Sequence, residues 1–146
     1  MPDADTRLLL RRIAAALNGT YAAFQLLTAA VFLFAFGGFG ALLVAIGLSE
    51  DDIAPQVFGG VFAGAGVLVG ALVLVGMVLP HLVATVLLWW PGALWRDLVS
   101  VVLVIGAFTQ FPHGTIVGFA TLAVAAIELV VQLQKPKPPA DAPEPA

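Results

Sequence analysis

Residues 53–95 read IAPQVFGGVFAGAGVLVGALVLVGMVLPHLVATVLLWWPGALW, a run of 43 residues without a charged side chain. A helix of that length is roughly 65 Å long, about twice the thickness of the hydrocarbon core of a bilayer. Two more uncharged blocks flank it, residues 21–48 and residues 98–127. Because a membrane-spanning helix needs only about 20 apolar residues, the three blocks together predict more than three spans.

The composition agrees with an integral membrane protein and excludes several other classes. Of the 146 residues, 61% are hydrophobic and 10% are charged, whereas soluble domains carry roughly 25% charged residues. A soluble enzyme and a disordered chain are therefore excluded. The six Lys and Arg are outnumbered by nine Asp and Glu, which argues against a nucleic-acid-binding protein. The chain has no cysteine, so disulfides, thiol catalysis and cysteine-bound metals are excluded as well.

Turn-forming residues divide the three blocks into four predicted spans. The last block is broken by Pro112 and Gly114, whose spacing suits a type I turn. In the middle block, Pro80 either turns the chain between two helices or kinks one continuous helix, and we favour the kink. The predicted spans are residues 21–48, 56–79 with a kinked extension to 90, 94–111 and 115–134.

The positions of the basic residues favour four spans over five. With four spans, both termini and the loop before the third span share one side, which holds Arg7, Arg11, Arg12, Arg96, Lys135 and Lys137. The other side carries the acidic loop Ser49-Glu50-Asp51-Asp52 and no basic residue. Since basic loops stay on the cytoplasmic side, we predict a protein of the inner membrane with both termini cytoplasmic.

Both ends of the chain are predicted to lie outside the spans. Residues 1–18 form a basic amphipathic segment, whose helix would lie on the inner leaflet until Asn18-Gly19 turns the chain into the membrane. Residues 135–146 contain five prolines and predict a disordered cytoplasmic tail. The predicted fold class is thus all-α: an N-terminal interfacial helix followed by a four-helix transmembrane domain at residues 19–134.

Two motifs resemble those of a known class. Trp95-Arg96 and Phe111-Pro112-x-Gly114-Thr115-x-x-Gly118 are similar to a Trp-Ala-Arg stretch and a hairpin motif in a loose class of small, uncharacterised bacterial four-helix membrane proteins. The likeness covers about the last third of the chain. The alanine between Trp and Arg is missing here, and the aromatic residues usual in the last helix are replaced by Ala125, Ala126 and Glu128. The resemblance implies four spans and carries no function.

Small residues recur at helical spacing in the second predicted span and indicate close helix packing. They form one stripe and the start of a neighbouring one, with GxxxG spacing in each, and a further pair opens the last span: Gly59, Ala63, Gly66 and Gly70; Gly60 and Gly64; Gly114 and Gly118. Small residues let helix backbones approach closely in lipid. Two interpretations remain open, packing inside one bundle and an interface between subunits.

Few polar side chains interrupt the spans. Glu128 is the one acidic group well inside a span, and an unpaired charge there is costly. It either forms a structural tie, by pairing with Arg96 or by reaching toward Gln132, or serves a proton or cation site, or stays protonated. Gln110 is a further polar residue, near the end of the third span. His81 and His113 are predicted at opposite faces of the membrane, where they cannot share a metal. Trp89, Trp90 and Trp95 predict an interfacial aromatic belt.

These patterns predict an interaction role in the membrane and no catalysis. No nucleophile stands beside a base, and no paired carboxylates occur within the spans. We expect no cofactor, no metal and no nucleic acid, and we expect the lipid bilayer and copies of this chain or other membrane subunits as partners. The alternative is an oligomeric pore or carrier for ions or small solutes, lined by Glu128 and Gln110. An enzyme acting on lipid is the third possibility.

Overall fold

The computed structural model describes residues 2–90, 93–110 and 112–134. Within those ranges the chain is helical and has no strand, which confirms the predicted all-α class. Helix α1 comprises Ala4–Glu50 and α2 comprises Ile53–Trp89. Helix α3 comprises Leu94–Val104 and continues as a 3-10 helix over Ile105–Thr109, and α4 comprises His113–Leu133. The predicted tail at 135–146 lies outside the described residues.

Three of these helices, α1, α2 and α4, are long and apolar enough to cross a membrane. This length and composition indicate a membrane protein, because a helix satisfies its own backbone hydrogen bonds where no water is available. At 1.5 Å per residue, the 47 residues of α1 and the 37 residues of α2 make helices of about 70 Å and 55 Å. Both exceed the roughly 30 Å of a hydrocarbon core.

The helices form two layers stacked along α1. In the first, which we call the four-helix layer, residues 4–31 of α1 pack on Leu79–Trp89 of α2 and on α4, while α3 packs on both of those partners. The second layer, which we call the arm, is a hairpin of two helices, residues 32–50 of α1 and Ile53–Val73 of α2. A tight turn joins the arm helices at Asp51, whose φ is 54°.

Each long helix contains a π-helical segment where the arm joins the four-helix layer. In α1 this segment is Phe32–Gly37, and in α2 it is Leu74–Val78. Helix α2 continues through Pro80, directly after its π-helical segment. A π-helical turn changes the backbone hydrogen-bonding register and often accompanies a bend.

The predicted turn at Asn18-Gly19 is absent, because α1 passes straight through both residues. The Asn18 amide donates to the Ala14 carbonyl at 2.9 Å and to Thr121 Oγ1 at 2.9 Å, so its side chain is used within the bundle instead of capping a turn. Gly19 lies against the methyl group of Thr85, where an added Cβ would be 3.6 Å away. Residues 4–18 are therefore part of the four-helix layer and do not form a separate helix.

The third helix is shorter than the predicted span at 94–111. It has 11 α-helical residues and five 3-10 residues, which together reach about 26 Å. Its end at Gln110 meets Gln25 of α1, and about 37 Å of α1 separates Gln25 from Glu50 at the tip of the arm. The loop at residues 49–52 and the turn between α3 and α4 therefore lie at very different levels along α1, because α3 and α4 pack only beside the first part of α1.

Candidate functional site: a buried polar column in the four-helix layer

The four-helix layer buries a set of polar side chains beside its apolar core and exposes apolar side chains. Its buried polar side chains belong to all four helices and are Arg11, Asn18, Gln25, His81, Asp97, Ser100 and Thr121. We call this set, with the groups bonded to it, the polar column. Large apolar side chains cover the outside, among them Val102 and Ile105 of α3. An apolar exterior with polar groups buried beneath it suits a bundle surrounded by lipid.

Four charged side chains meet at one end of the polar column and form what we call the ion cluster. Arg11 Nη2 donates to Asp97 Oδ1, and the two side chains are only 4% and 1% exposed. Glu128 forms ion pairs with both arginines: its Oε1 lies 3.7 Å from Arg11 Nη1, and its Oε2 lies 3.5 Å from Arg7 Nη1. Two cations and two anions give the cluster no net charge, which is the condition for burying charge in a helix bundle.

The predicted pairing of Glu128 with Arg96 is not formed. Arg96 instead lies over the ring of its neighbour Trp95, with Cζ 5.5 Å from the ring centroid. The difference arises because α1 begins at Ala4 and carries Arg7 and Arg11 alongside α4. Glu128 is nevertheless paired with basic side chains, and these come from the other end of the chain.

The middle of the polar column joins α1 to α4 through Asn18 and Thr121. Thr121 Oγ1 accepts the Asn18 amide and itself donates to the Val117 carbonyl at 2.9 Å. Asn18 Oδ1 makes no hydrogen bond with the described residues, and neither does Asp97 Oδ2. Ser100 of α3 donates to the Arg96 carbonyl at 2.8 Å. The Asn18–Thr121 hydrogen bond thus links α1 to α4, while the hydroxyls of Thr121 and Ser100 bond to carbonyls of their own helices.

Gln110 organises the other end of the polar column. Its Oε1 accepts from Tyr21 Oη and from Gln25 Nε2, the latter at 2.9 Å, and its Nε2 lies 3.1 Å from Met77 Sδ. His81 packs its ring on Tyr21, with centroids 4.7 Å apart. His81 Nδ1 lies 2.7 Å from the Met77 carbonyl, and since a carbonyl only accepts, Nδ1 carries the proton. The side chain of Gln110 thus connects the end of α3 to α1 and α2.

The two histidines do not lie at opposite faces of the membrane as predicted. His81 packs on Tyr21, and His113 stacks on Phe24 at 6.4 Å, one helical turn further along α1. The prediction was wrong because α3 is short and its turn reaches only the level of Gln25. Tyr21 and His113 also line one apolar groove of about 280 Å³ between α1 and α4. In the described part of the chain no three His, Cys, Asp or Glu side chains gather as metal ligands would.

The predicted glycine stripes have different environments. Gly59, Gly66 and Gly70 face α1, where an added Cβ would lie 2.5 Å from the Gly40 carbonyl oxygen, 2.5 Å from the Gly37 nitrogen and 2.6 Å from Leu33 Cγ. The backbone of Ala63 is in the same contact, against Gly40. At Gly60 and Gly64, no atom of the described residues beyond the adjoining backbone of α2 lies within 4 Å of an added Cβ. The first stripe therefore packs inside the chain, and the second faces outward.

The glycines of the last span and the three tryptophans lie at opposite ends of the four-helix layer. An added Cβ at Gly114 would lie 2.9 Å from Gln110 Cβ, and one at Gly118 would lie 2.8 Å from the Phe108 ring, so both glycines seat α4 against the end of α3. Trp89, Trp90 and Trp95 are all more than half exposed. They lie around the connection between α2 and α3, at the end of the four-helix layer that holds the ion cluster, and the aromatic belt stays a prediction.

Sequence reasoning missed most of the polar column. Asp97, which lies between two of the uncharged blocks, was not predicted as a site residue, and Asn18 was predicted to form part of a turn. One signal was present: Arg11, Asn18 and Gln25 are seven residues apart, a spacing that keeps side chains on nearly one face of a continuous helix. This spacing of polar residues predicts a helix that continues through Asn18 and buries one polar face.

No family model, no curated protein and no solved structure matches this chain.

Proposed function

We propose that the chain is a non-enzymatic, multi-pass protein of the inner (cytoplasmic) membrane that acts through helix packing. It works as a homo-oligomer or as a small subunit of a membrane complex, with the arm as the element that meets its partner. The observation that carries this proposal is the outward face of the arm. There Gly60 and Gly64, with GxxxG spacing, are open to a second helix while the neighbouring stripe is filled by α1.

The polar column supports a structural role better than an ion path. Glu128, which would have to line the path of a pore, is held by Arg7 and Arg11. Gln110, the second lining residue of that alternative, is bonded to Tyr21 and Gln25. The pore or carrier therefore has less support than an interaction role, because its lining groups already stabilise the bundle.

The proposed topology places both termini in the cytoplasm and the tip of the arm outside. Helices α1 and α2 cross the membrane, and the α3–α4 hairpin enters from the cytoplasmic side and returns to it. The termini share a side whether that hairpin crosses fully, as in the four-span arrangement, or only in part. The basic residues support this orientation, because they lie on the termini and on the connection before α3.

The topology is tested by cysteine labelling. Because the chain has no cysteine of its own, only an introduced cysteine can react. We expect Ser49→Cys to react in intact cells with a membrane-impermeant maleimide, and a reporter fused after residue 146 to be active only in its cytoplasmic form. Control cells with the cysteine-free chain should show no labelling. An externally located C-terminus would contradict the proposal and favour an odd number of spans, as in the five-span alternative.

Assembly through the outward face is tested by Gly64→Leu. In the described part of the chain, an added Cβ at Gly64 has no neighbour within 4 Å outside the adjoining helix backbone. We therefore expect unchanged helicity and stability, but a smaller particle in mild detergent by light scattering. Gly76→Leu is the matched control, because Gly76 is equally open on α2 but lies outside the GxxxG spacing. An unchanged particle mass in Gly64→Leu, or the same drop in Gly76→Leu, would rule this interface out.

A further inference from the structure

The apolar exterior of the molecule is taller than one bilayer. On α1, exposed apolar side chains extend from Leu9 to Leu48, and on α2 from Ile53 to Trp89. These stretches measure about 58 Å and 54 Å along their helices, whereas a hydrocarbon core measures about 30 Å. Upright and straight, the molecule would leave a large part of this surface in water.

Both layers need lipid, so neither can be assigned to the water phase. Between its first residue and the acidic tip, the arm exposes apolar side chains on all sides, including Phe34, Phe58 and Leu68. A helix that is apolar all round lies in a membrane or inside a protein. The four-helix layer exposes Val102 and Phe119 and buries its polar groups, so it also suits lipid.

The junction between the layers is the place where both long helices depart from α-helical geometry. The segments Phe32–Gly37 and Leu74–Val78 are π-helical, the first has no buried side chain, and the second buries only Val78. Four helices pack together on one side of the junction and two on the other. Stiffness therefore changes where the backbone hydrogen bonding is also irregular, and helices bend at such places.

We propose that the two π-helical segments form a hinge, and that the arm bends against the four-helix layer until both lie in one bilayer. The angle between them then follows the thickness of the bilayer, because hydrophobic mismatch is relieved by tilting and kinking. The chain is thus a lipid-responsive element whose ligand is the bilayer itself. This inference rests on the proposed topology, in which the tip of the arm and the ion cluster lie at opposite surfaces.

The bend is measured as a distance between two spin labels in vesicles of short-, medium- and long-chain phosphatidylcholine. One label is attached at Ser49→Cys, at the tip of the arm, and the other at Leu98→Cys, which is exposed on α3. We expect pulsed electron paramagnetic resonance to give a distance that lengthens by several ångström from the thinnest to the thickest bilayer. The control pair, Leu98→Cys with Phe119→Cys, lies within the four-helix layer and should keep one distance throughout.

A constant distance from tip to four-helix layer in all three lipids would overturn the hinge and show that the molecule tilts as a rigid body. External labelling of Ser49→Cys separates this failure from a failure of the proposed topology, because a rigid molecule with the correct topology is still labelled. In a variant that lacks Ala35 and Gly76, one residue of each π-helical segment, we expect the dependence on bilayer thickness to vanish at unchanged helicity. The same dependence in that variant would place the bend elsewhere.

Discussion

We expect Gly66→Leu to force the two helices of the arm apart and to lower the free energy of unfolding by about 3 kcal/mol, the upper end of the usual cost of overpacking. An added Cβ at this position would lie 2.5 Å from the Gly37 nitrogen and 2.6 Å from the Phe32 carbonyl oxygen. Both are backbone atoms and cannot rotate away. Unfolding in mixed micelles of mild and denaturing detergent, followed by circular dichroism, measures the loss.

Gly64→Leu is the matched control for stability, because it makes the same change two residues away at an open position. Its free energy of unfolding should stay within about 0.5 kcal/mol of the parent, as for an exposed substitution. The two variants together separate packing within the chain from packing between chains. Equal losses in both, or no loss in Gly66→Leu, would show that the arm helices do not pack as described.

The ion cluster gives the second large effect, through Arg11→Met. This change leaves Asp97 completely buried without the guanidinium that it binds. Breaking one partner of a buried ion pair typically costs about 3–5 kcal/mol, and we expect a loss of that size in the same unfolding measurement. Combining Arg11→Met with Asp97→Leu should recover most of it, because a well-packed apolar pair can replace a buried ion pair.

Arg96→Met serves as the control for the ion cluster. Arg96 lies over Trp95 and belongs to none of the ion pairs found in the described ranges, so its replacement should cost about 1 kcal/mol or less, the value of an exposed cation–π contact. A large loss of unfolding free energy in Arg96→Met would contradict this arrangement and favour the predicted pairing of Arg96 with Glu128. Failure of the double variant to recover would mean that Arg11 acts mainly through Glu128.

The sequence predicts the class of this fold well, because long charge-free blocks leave a chain few alternatives to membrane helices. The ends of those helices are harder to predict, since an apolar block contains nothing that stops a helix. Helix α1 is continuous to Glu50 where two segments were expected, and α3 ends at Thr109, well below the tip of the arm.

The candidate site shows the same division. Glu128 stands out because an acidic side chain in an apolar span must find a partner. Which partner it finds depends on how α1 packs. The prediction placed Arg7 and Arg11 in an interfacial helix outside the bundle, which left Arg96 at the start of the third span as the partner instead of Arg7 and Arg11. The outward and inward glycines differ only by their rotation about α2, which depends on how α1 packs. Residue spacing alone does not determine that rotation.

The ion cluster also constrains the order in which the helices assemble during synthesis. Arg11 pairs with Asp97, 86 residues later, and Arg7 pairs with Glu128, 121 residues later. During synthesis the arm can close as soon as its two neighbouring helices emerge, while the first residues of α1 still lack their carboxylates. Until those carboxylates are synthesised, water or anionic lipid headgroups compensate the two arginines. Arg7 and Arg11 are thus synthesised before their partners and buried after them, and a chain cut off before Glu128 cannot complete the ion cluster.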